Sequence, residues 1–155
     1  PFTRPLAERL NNLSALEVIE AQHGMPLVPG KVFVAPGGRH LKLTDRNDQI
    51  AIHITDDPPE NSCRPAFDYT LRSACQSLDG RALAVILTGM GRDGLQGSSA
   101  LKQQGGRVVV QHADGCTVFG MPKAIIEAGL ADRVVKLPRL ASVVCEEVRR
   151  GFQRN

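Results

Sequence analysis

With 155 residues the chain reads as one domain, long enough to bury roughly two thirds of the surface its unfolded form exposes. Hydrophobic residues at 42% and charged residues at 23% are ordinary globular values, and no apolar run has the length of a membrane span. The net charge of +3 is scattered and aromatic residues are 4% with no Trp, which argues against a stacking platform for nucleic acid.

Thr3 is placed to cap a helix in which Leu6, Leu10 and Leu13 form one apolar stripe that would pack on a sheet. Leu16 to Ala21 and Lys31 to Ala35 read as short strands, separated by Pro29-Gly30 and closed by Pro36-Gly37-Gly38. Leu41 to Thr44 and Ile50 to Ile54 alternate apolar and polar residues around Arg46-Asn47-Asp48, the pattern of a hairpin with one wet face. A loop from Asp56 to Pro65 follows, and Pro65 suits the first turn of a helix carrying Phe67, Leu71, Ala74, Cys75 and Leu78 at helical spacing. Arg64 stands near Asp68 and would tie the loop to that helix.

Ala82 to Leu87 is apolar without alternation, which predicts a central strand of a parallel sheet covered on both faces. Thr88-Gly89-Met90-Gly91 breaks it, Asp93 follows, and a helix leaves at Gly94. Arg107 to Gln111 reads as the next buried strand, Lys123 to Ala128 as a helix introduced by Phe119-Gly120-Met121-Pro122, and Val134 to Leu137 as a last strand. Arg139 to Phe152 completes the series as a helix turning Leu140, Val143, Val144 and Val148 inward. Strand and helix alternate from Ala82 onward, so the expected fold is α/β, a doubly wound and mostly parallel sheet with an antiparallel hairpin.

Ligands of such sheets bind at the carboxyl ends of strands, where Asp93 sits. As chemistry, its carboxylate would hold the Nδ1 hydrogen of a histidine; as structure, it would cap the helix starting at Gly94. The Met90 amide, between two glycines, could help hold an oxyanion or simply belong to a turn needing positive φ. Gly89, Gly91 and Gly94 also spell the dinucleotide-binding fingerprint, with Asp114 20 residues past Gly94 where a ribose-binding acid is wanted. Against this, Asp93 would place a second anion at the helix N-terminus that must bind pyrophosphate.

Among histidines, His40 could reach the cleft, whereas His53 sits in the hairpin and His23 and His112 lie in loops. No serine occupies a nucleophile elbow, and Ser98 and Ser99 are helical space-fillers. Cys63, Cys75, Cys116 and Cys145 form no C-x-x-C pair and read as reduced thiols of a cytosolic protein without a metal site or cofactor.

Four segments together resemble the catalytic domain of the CheB family of chemotaxis protein-glutamate methylesterases: Val34-Ala35-Pro36-Gly37-Gly38-Arg39-His40, Arg64-Pro65-Ala66-Phe67-Asp68, Val85 to Gly94, and Val118-Phe119-Gly120-Met121-Pro122. The family usually has Ser and Val in the middle of the second segment. The resemblance spans nearly the whole chain and implies hydrolysis of glutamate methyl esters on membrane chemoreceptors, with glutamine deamidation in some members. It implies a cytoplasmic protein whose partners are those receptors, met peripherally, and no nucleic acid. Of the family's Ser-His-Asp triad it places the aspartate on Asp93 and part of the oxyanion hole on the Met90 amide. Pro1-Phe2-Thr3 matches the segment just after the family's histidine. Residues 1–155 would thus be a partial methylesterase domain, inactive alone, with the first strand, the serine and the histidine upstream. No stretch reads as a receiver domain. A dinucleotide-binding module and a noncatalytic receptor-binding pseudoenzyme are the competing expectations.

Overall fold

A computed structural model describes residues 1–153, with side chains through Gly151. The elements run α1 (Thr3–Leu13), β1 (Glu17–Glu20), β2 (Lys31–Val34), β3 (His40–Arg46), β4 (Gln49–Thr55), α2 (Phe67–Leu78), β5 (Leu83–Ile86), α3 (Leu95–Gln103), β6 (Arg107–Gln111), α4 (Gly120–Glu127), β7 (Arg133–Val135) and α5 (Leu137–Gln153).

Strands β5, β6 and β7 form a parallel sheet in that order. Successive side chains on a strand point to opposite faces, and both faces here are covered. Ala84, Ile86, Val108 and Val110 meet Leu71 and Cys75 of α2, Leu101 of α3 and Ile125 of α4. Leu83, Val85, Val109 and Val135 meet Leu140 and Val143 of α5. The sheet is therefore doubly wound, as its alternating order implies. Its central strand is β6, whose Val108, Val109 and Val110 are fully buried, whereas β5 lies at one edge among the described residues. Among the described residues β5 thus has one neighbour where the sequence predicts a central strand, because an uninterrupted apolar run reports covered faces and not the number of hydrogen-bonded neighbours.

A second parallel pair, β1 with β2, is not hydrogen-bonded to that sheet among the described residues. Helix α1 docks on this pair through Thr3, Ala7 and Asn11, a stripe at i, i+4 and i+8. Thr3 Oγ1 donates to Glu20 and accepts from the Gly37 amide at 3.1 Å, Ala7 is buried, and Asn11 Oδ1 accepts from the Val18 amide at 2.9 Å. Thr3 is thus a docking residue and not the cap, and Leu6, Leu10 and Leu13 remain exposed. Short polar side chains satisfy the strand-end backbone at close range, and the leucine stripe lies off that contact.

The hairpin β3–β4 forms as expected, with Asn47 and Asp48 at φ 55° and 63°, the left-handed pair that a two-residue hairpin turn demands. It stands as its own sheet, and α2 satisfies its edge with hydroxyls. Thr70 donates to the Leu41 carbonyl at 2.7 Å, Ser77 donates to the Leu43 carbonyl at 3.1 Å, and Ser73 accepts from the Leu43 amide at 2.9 Å. Below it, Leu41, Ile52 and Ile54 close a second core with Ala21.

Several points differ from the sequence reading: the last strand ends at Val135, and Leu137 already opens α5. Pro65 precedes α2, whose N-cap is the extended Ala66, so the proline shapes the approach to the helix. Helix α4 begins at Gly120, with Pro122 already in its first turn, where a missing N–H costs no hydrogen bond. Val148 of α5 is exposed, while the Phe152 side chain lies outside the described residues.

Candidate functional site

The turn after β5 is laced to the segment leading into α4, which brings two of the sequence motifs together. Thr88 Oγ1 donates to the Val118 carbonyl and accepts from the Val118 amide, both at 2.9 Å. The Gly89 amide donates to the Val118 carbonyl at 2.9 Å, and the Met121 amide returns a bond to the Gly89 carbonyl at 2.8 Å. Gly120 permits this approach: a Cβ there would lie 2.9 Å from the Gly91 nitrogen and 3.1 Å from its oxygen. Pinned on both sides, the turn pushes Met90 outward, 84% exposed. The Met90 amide has no protein acceptor among the described residues.

Asp93 points from this turn toward the start of α2. Its Oδ2 accepts from the Phe67 amide at 2.6 Å; its Oδ1 accepts from the Asp68 amide at 2.8 Å and from Asn61 Nδ2 at 3.2 Å. The carboxylate is 8% exposed and lies at the positive end of the α2 dipole. It does cap a helix, but that helix is α2 and not the one that follows it. Helix α3 starts instead from Gly94 in the left-handed region, φ 95°, with no side-chain cap at that position.

The α3 amide in the first turn is served in return by Asp68. This residue is 1% exposed; its Oδ1 accepts from the Gly97 amide at 2.7 Å and its Oδ2 from Asn61 Nδ2 at 3.0 Å. Each helix is therefore capped by a carboxylate carried on or just before the other, and the Asn61 carboxamide bridges both. Asp68 does not pair with Arg64, whose guanidinium donates to the Asp56 and Asp57 carbonyls, both at 3.3 Å. An anion already sits on the Gly97 amide, so the α3 N-terminus has no place for a pyrophosphate, and the dinucleotide reading fails there. Asp114, its ribose candidate, is paired at 3.0 Å with Lys136. That pairing holds its carboxyl below the usual range.

His40 does not reach the cleft. It is fully buried and stacked on Tyr69 with ring centroids 4.2 Å apart. Its Nε2 faces the Pro58 carbonyl at 2.9 Å and its Nδ1 accepts from the Ala66 amide at 3.2 Å, so both nitrogens are occupied and the ring hydrogen belongs on Nε2. His23 and His53 meet edge to face at 4.4 Å, away from the turn. Burial and the neighbouring His23, Lys42 and Arg46 hold His53 below its usual range. His112 Nδ1 accepts from the Asp114 amide at 3.0 Å. Ser98 is sealed in α3, and Cys63 is exposed with its backbone paired to Glu60.

The sequence reading singled out Asp93 and the Met90 amide, and both lie at the strand end. It missed Asn61, assigned to an undifferentiated loop, and it gave Asp68 the wrong partner. The available signal was Asn61-Ser62 between polar residues, a pair suited to left-handed φ.

Comparison with known proteins bears on this geometry. The family model described as CheB methylesterase matches residues 1–144. A protein-glutamate methylesterase/protein-glutamine glutaminase 2 of Nitratidesulfovibrio vulgaris is 44% identical over 143 residues, 92% of this chain and 39% of the relative. One from Paraburkholderia xenovorans, named protein-glutamate methylesterase/protein-glutamine glutaminase, is 42% identical over 140 residues, 90% of this chain and 39% of the relative. The chain thus spans about two fifths of the length of these curated relatives. The crystal structure of the Thermotoga maritima CheB methylesterase catalytic domain superimposes with a TM-score of 0.91 at 41% identity, over 94% of this chain and 77% of that one. With the family model matched over residues 1–144, relatives above 40% identical over nine tenths of this chain and a shared fold, the chain belongs to the CheB methylesterase family.

Proposed function

We propose that this chain carries the acid and part of the oxyanion hole of a protein-glutamate methylesterase that hydrolyses glutamate methyl esters on chemoreceptors and deamidates receptor glutamines. Asp93 is the acid, the Met90 amide is an oxyanion donor, and the serine and histidine come from sequence outside residues 1–155. The observation that carries this reading is the state of the Asp93 carboxylate. Each of its oxygens has two lone-pair directions, Oδ1 has two donors and Oδ2 has one, so Oδ2 retains a direction for an imidazole N–H.

In this mechanism the serine hydroxyl attacks the ester carbonyl while the histidine takes its proton, and the proton then goes to the departing methoxide, releasing methanol. Water, deprotonated by the same histidine, hydrolyses the glutamyl-enzyme. Asp93 keeps the imidazole in one tautomer and stabilises its cation, and the Met90 N–H donates to the oxygen that becomes negative. The protein works in the cytoplasm and meets membrane receptors at their surface; among the described residues no helix is long and apolar enough to cross a membrane.

The test is methanol release from methylated receptor by the full-length protein and its Asp93→Asn variant. Turnover per folded molecule is expected to fall by about 10³- to 10⁴-fold with KM little changed. Unchanged turnover makes Asp93 a cap only. Residues 1–155 alone are expected to release no methanol, and measurable hydrolysis by them would refute the external serine and histidine. Binding of methylated receptor without turnover at full length would favour the pseudoenzyme.

A further inference from the structure

We propose that Asn61 and Asp68 are positioning residues that decide which oxygen of Asp93 faces the histidine, an inference that rests on the reading of Asp93 as the catalytic acid. The Phe67 and Asp68 amides hold Asp93 as a fork, one on each oxygen, at 2.6 and 2.8 Å. A fork of two similar donors leaves the two oxygens equivalent, each with one free direction. Asn61 breaks that equivalence. Its Nδ2 takes the second direction on Oδ1, at 3.2 Å, and so leaves Oδ2 as the oxygen able to accept another N–H.

The carboxamide can do this only with its NH2 end forward, and Asp68 dictates that orientation. Nδ2 lies between two carboxylates, 3.0 Å from Asp68 Oδ2 and 3.2 Å from Asp93 Oδ1, so both hydrogens have acceptors, whereas a flipped carboxamide would set its oxygen against both anions. Asp68 is itself fixed by the Gly97 amide at 2.7 Å.

The turn presenting Asn61 is tight. Glu60 and Cys63 exchange two backbone bonds, at 3.1 and 2.7 Å, around Asn61 and Ser62, which take φ 50° and 59°. Glu60 is bound in turn by Arg72 of α2. Along the chain Gly97–Asp68–Asn61–Asp93, the Gly97 amide donates to Asp68 and the Asn61 carboxamide donates to both Asp68 and Asp93, so each carboxylate is only an acceptor and Asn61 only a donor.

The experiment measures kcat and KM for methanol release by the full-length protein in a double-mutant cycle of Asn61→Gly with Asp93→Asn, with thermal melts of each variant. Glycine accepts the left-handed backbone of Asn61, so the change removes the carboxamide without strain. Alone, Asn61→Gly is expected to lower kcat about tenfold with KM unchanged; in the Asp93→Asn background it should cost less than about twofold, since nothing remains to position. Asp68→Asn, which loses the acceptor aiming Asn61, is expected to repeat the single-variant loss and serves where Asn61→Gly does not fold. An unchanged kcat in Asn61→Gly, or equal losses in the two backgrounds, overturns the positioning role while a large Asp93→Asn loss leaves the acid reading standing. An Asp93→Asn variant of unchanged kcat overturns both.

Discussion

Arg107 of β6 grips Glu147 of α5 in a fork, Nε to Oε2 at 2.7 Å and Nη2 to Oε1 at 2.9 Å. This ties the last helix to the central strand at the end of the sheet remote from Asp93. The arginine hydrogen bonds hold the Glu147 carboxyl below its ordinary range although burial pushes it up. Asp132 is pushed up by burial too, and the Lys102 ammonium, the Val108 amide at 2.7 Å and Arg107 outweigh that push to leave it low.

Both carboxyls are thus less basic in the folded chain than in the unfolded one. Protons bind the unfolded state first as pH falls below about 4.5, so stability is full above that range and drains as pH drops through the folded values. Urea unfolding from pH 7 to pH 3 should show it. Glu147→Gln should lower stability at pH 7 by about 2–3 kcal/mol, because Arg107 keeps its charge with half its fork gone, and should flatten the acid dependence. An unchanged acid slope would contradict the assignment.

The Ser98 hydroxyl is buried and has no hydrogen-bond partner among the described residues. An unsatisfied hydroxyl in an apolar site costs free energy that alanine does not. Ser98→Ala should therefore raise stability by about 1 kcal/mol in denaturant melts, with turnover of the full-length protein unaltered. A loss of turnover would reopen a chemical role for this serine.

Gly120→Ala would set a methyl group 2.9 Å from the Gly91 nitrogen, and backbone cannot rotate aside as a flexible side chain does. The expected result is a loss of about 1–3 kcal/mol together with reduced kcat, since the displaced turn carries Met90. Thermal melts and steady-state kinetics on the same samples test both halves.

His40→Leu would strand the Ala66 amide and the Pro58 carbonyl. Stability should fall by about 2–4 kcal/mol. Turnover per folded molecule should stay within about twofold, because the ring has no nitrogen left to share. A large kcat loss at unchanged stability would make His40 part of the chemistry.

Much of this architecture is readable from residue order, because period and punctuation are local. The hairpin about Asn47-Asp48, the valine strand β6 and the glycine break after β5 each follow from a few adjacent residues. The family motifs also led to Asp93. What periodicity hid was partnership across distance. Leu6, Leu10 and Leu13 form a better apolar stripe than Thr3, Ala7 and Asn11, yet the polar stripe docks because strand-end backbone needs partners. Asp93 could be read as capping its own helix, and only the approach of α2 to α3 shows the exchange of caps. Asn61 was invisible because its role exists only between two carboxylates brought together from elsewhere.

The exchange of caps bears on inheritance. A descendant that abandoned ester hydrolysis could discard its serine without touching these contacts, but losing the carboxylate at 93 would leave the Phe67 and Asp68 amides at the start of α2 without their acceptor. An aspartate at this position would therefore outlive the chemistry in such a lineage. Its presence in a related genome would testify to an intact scaffold, and a claim of activity would need the nucleophile as its witness.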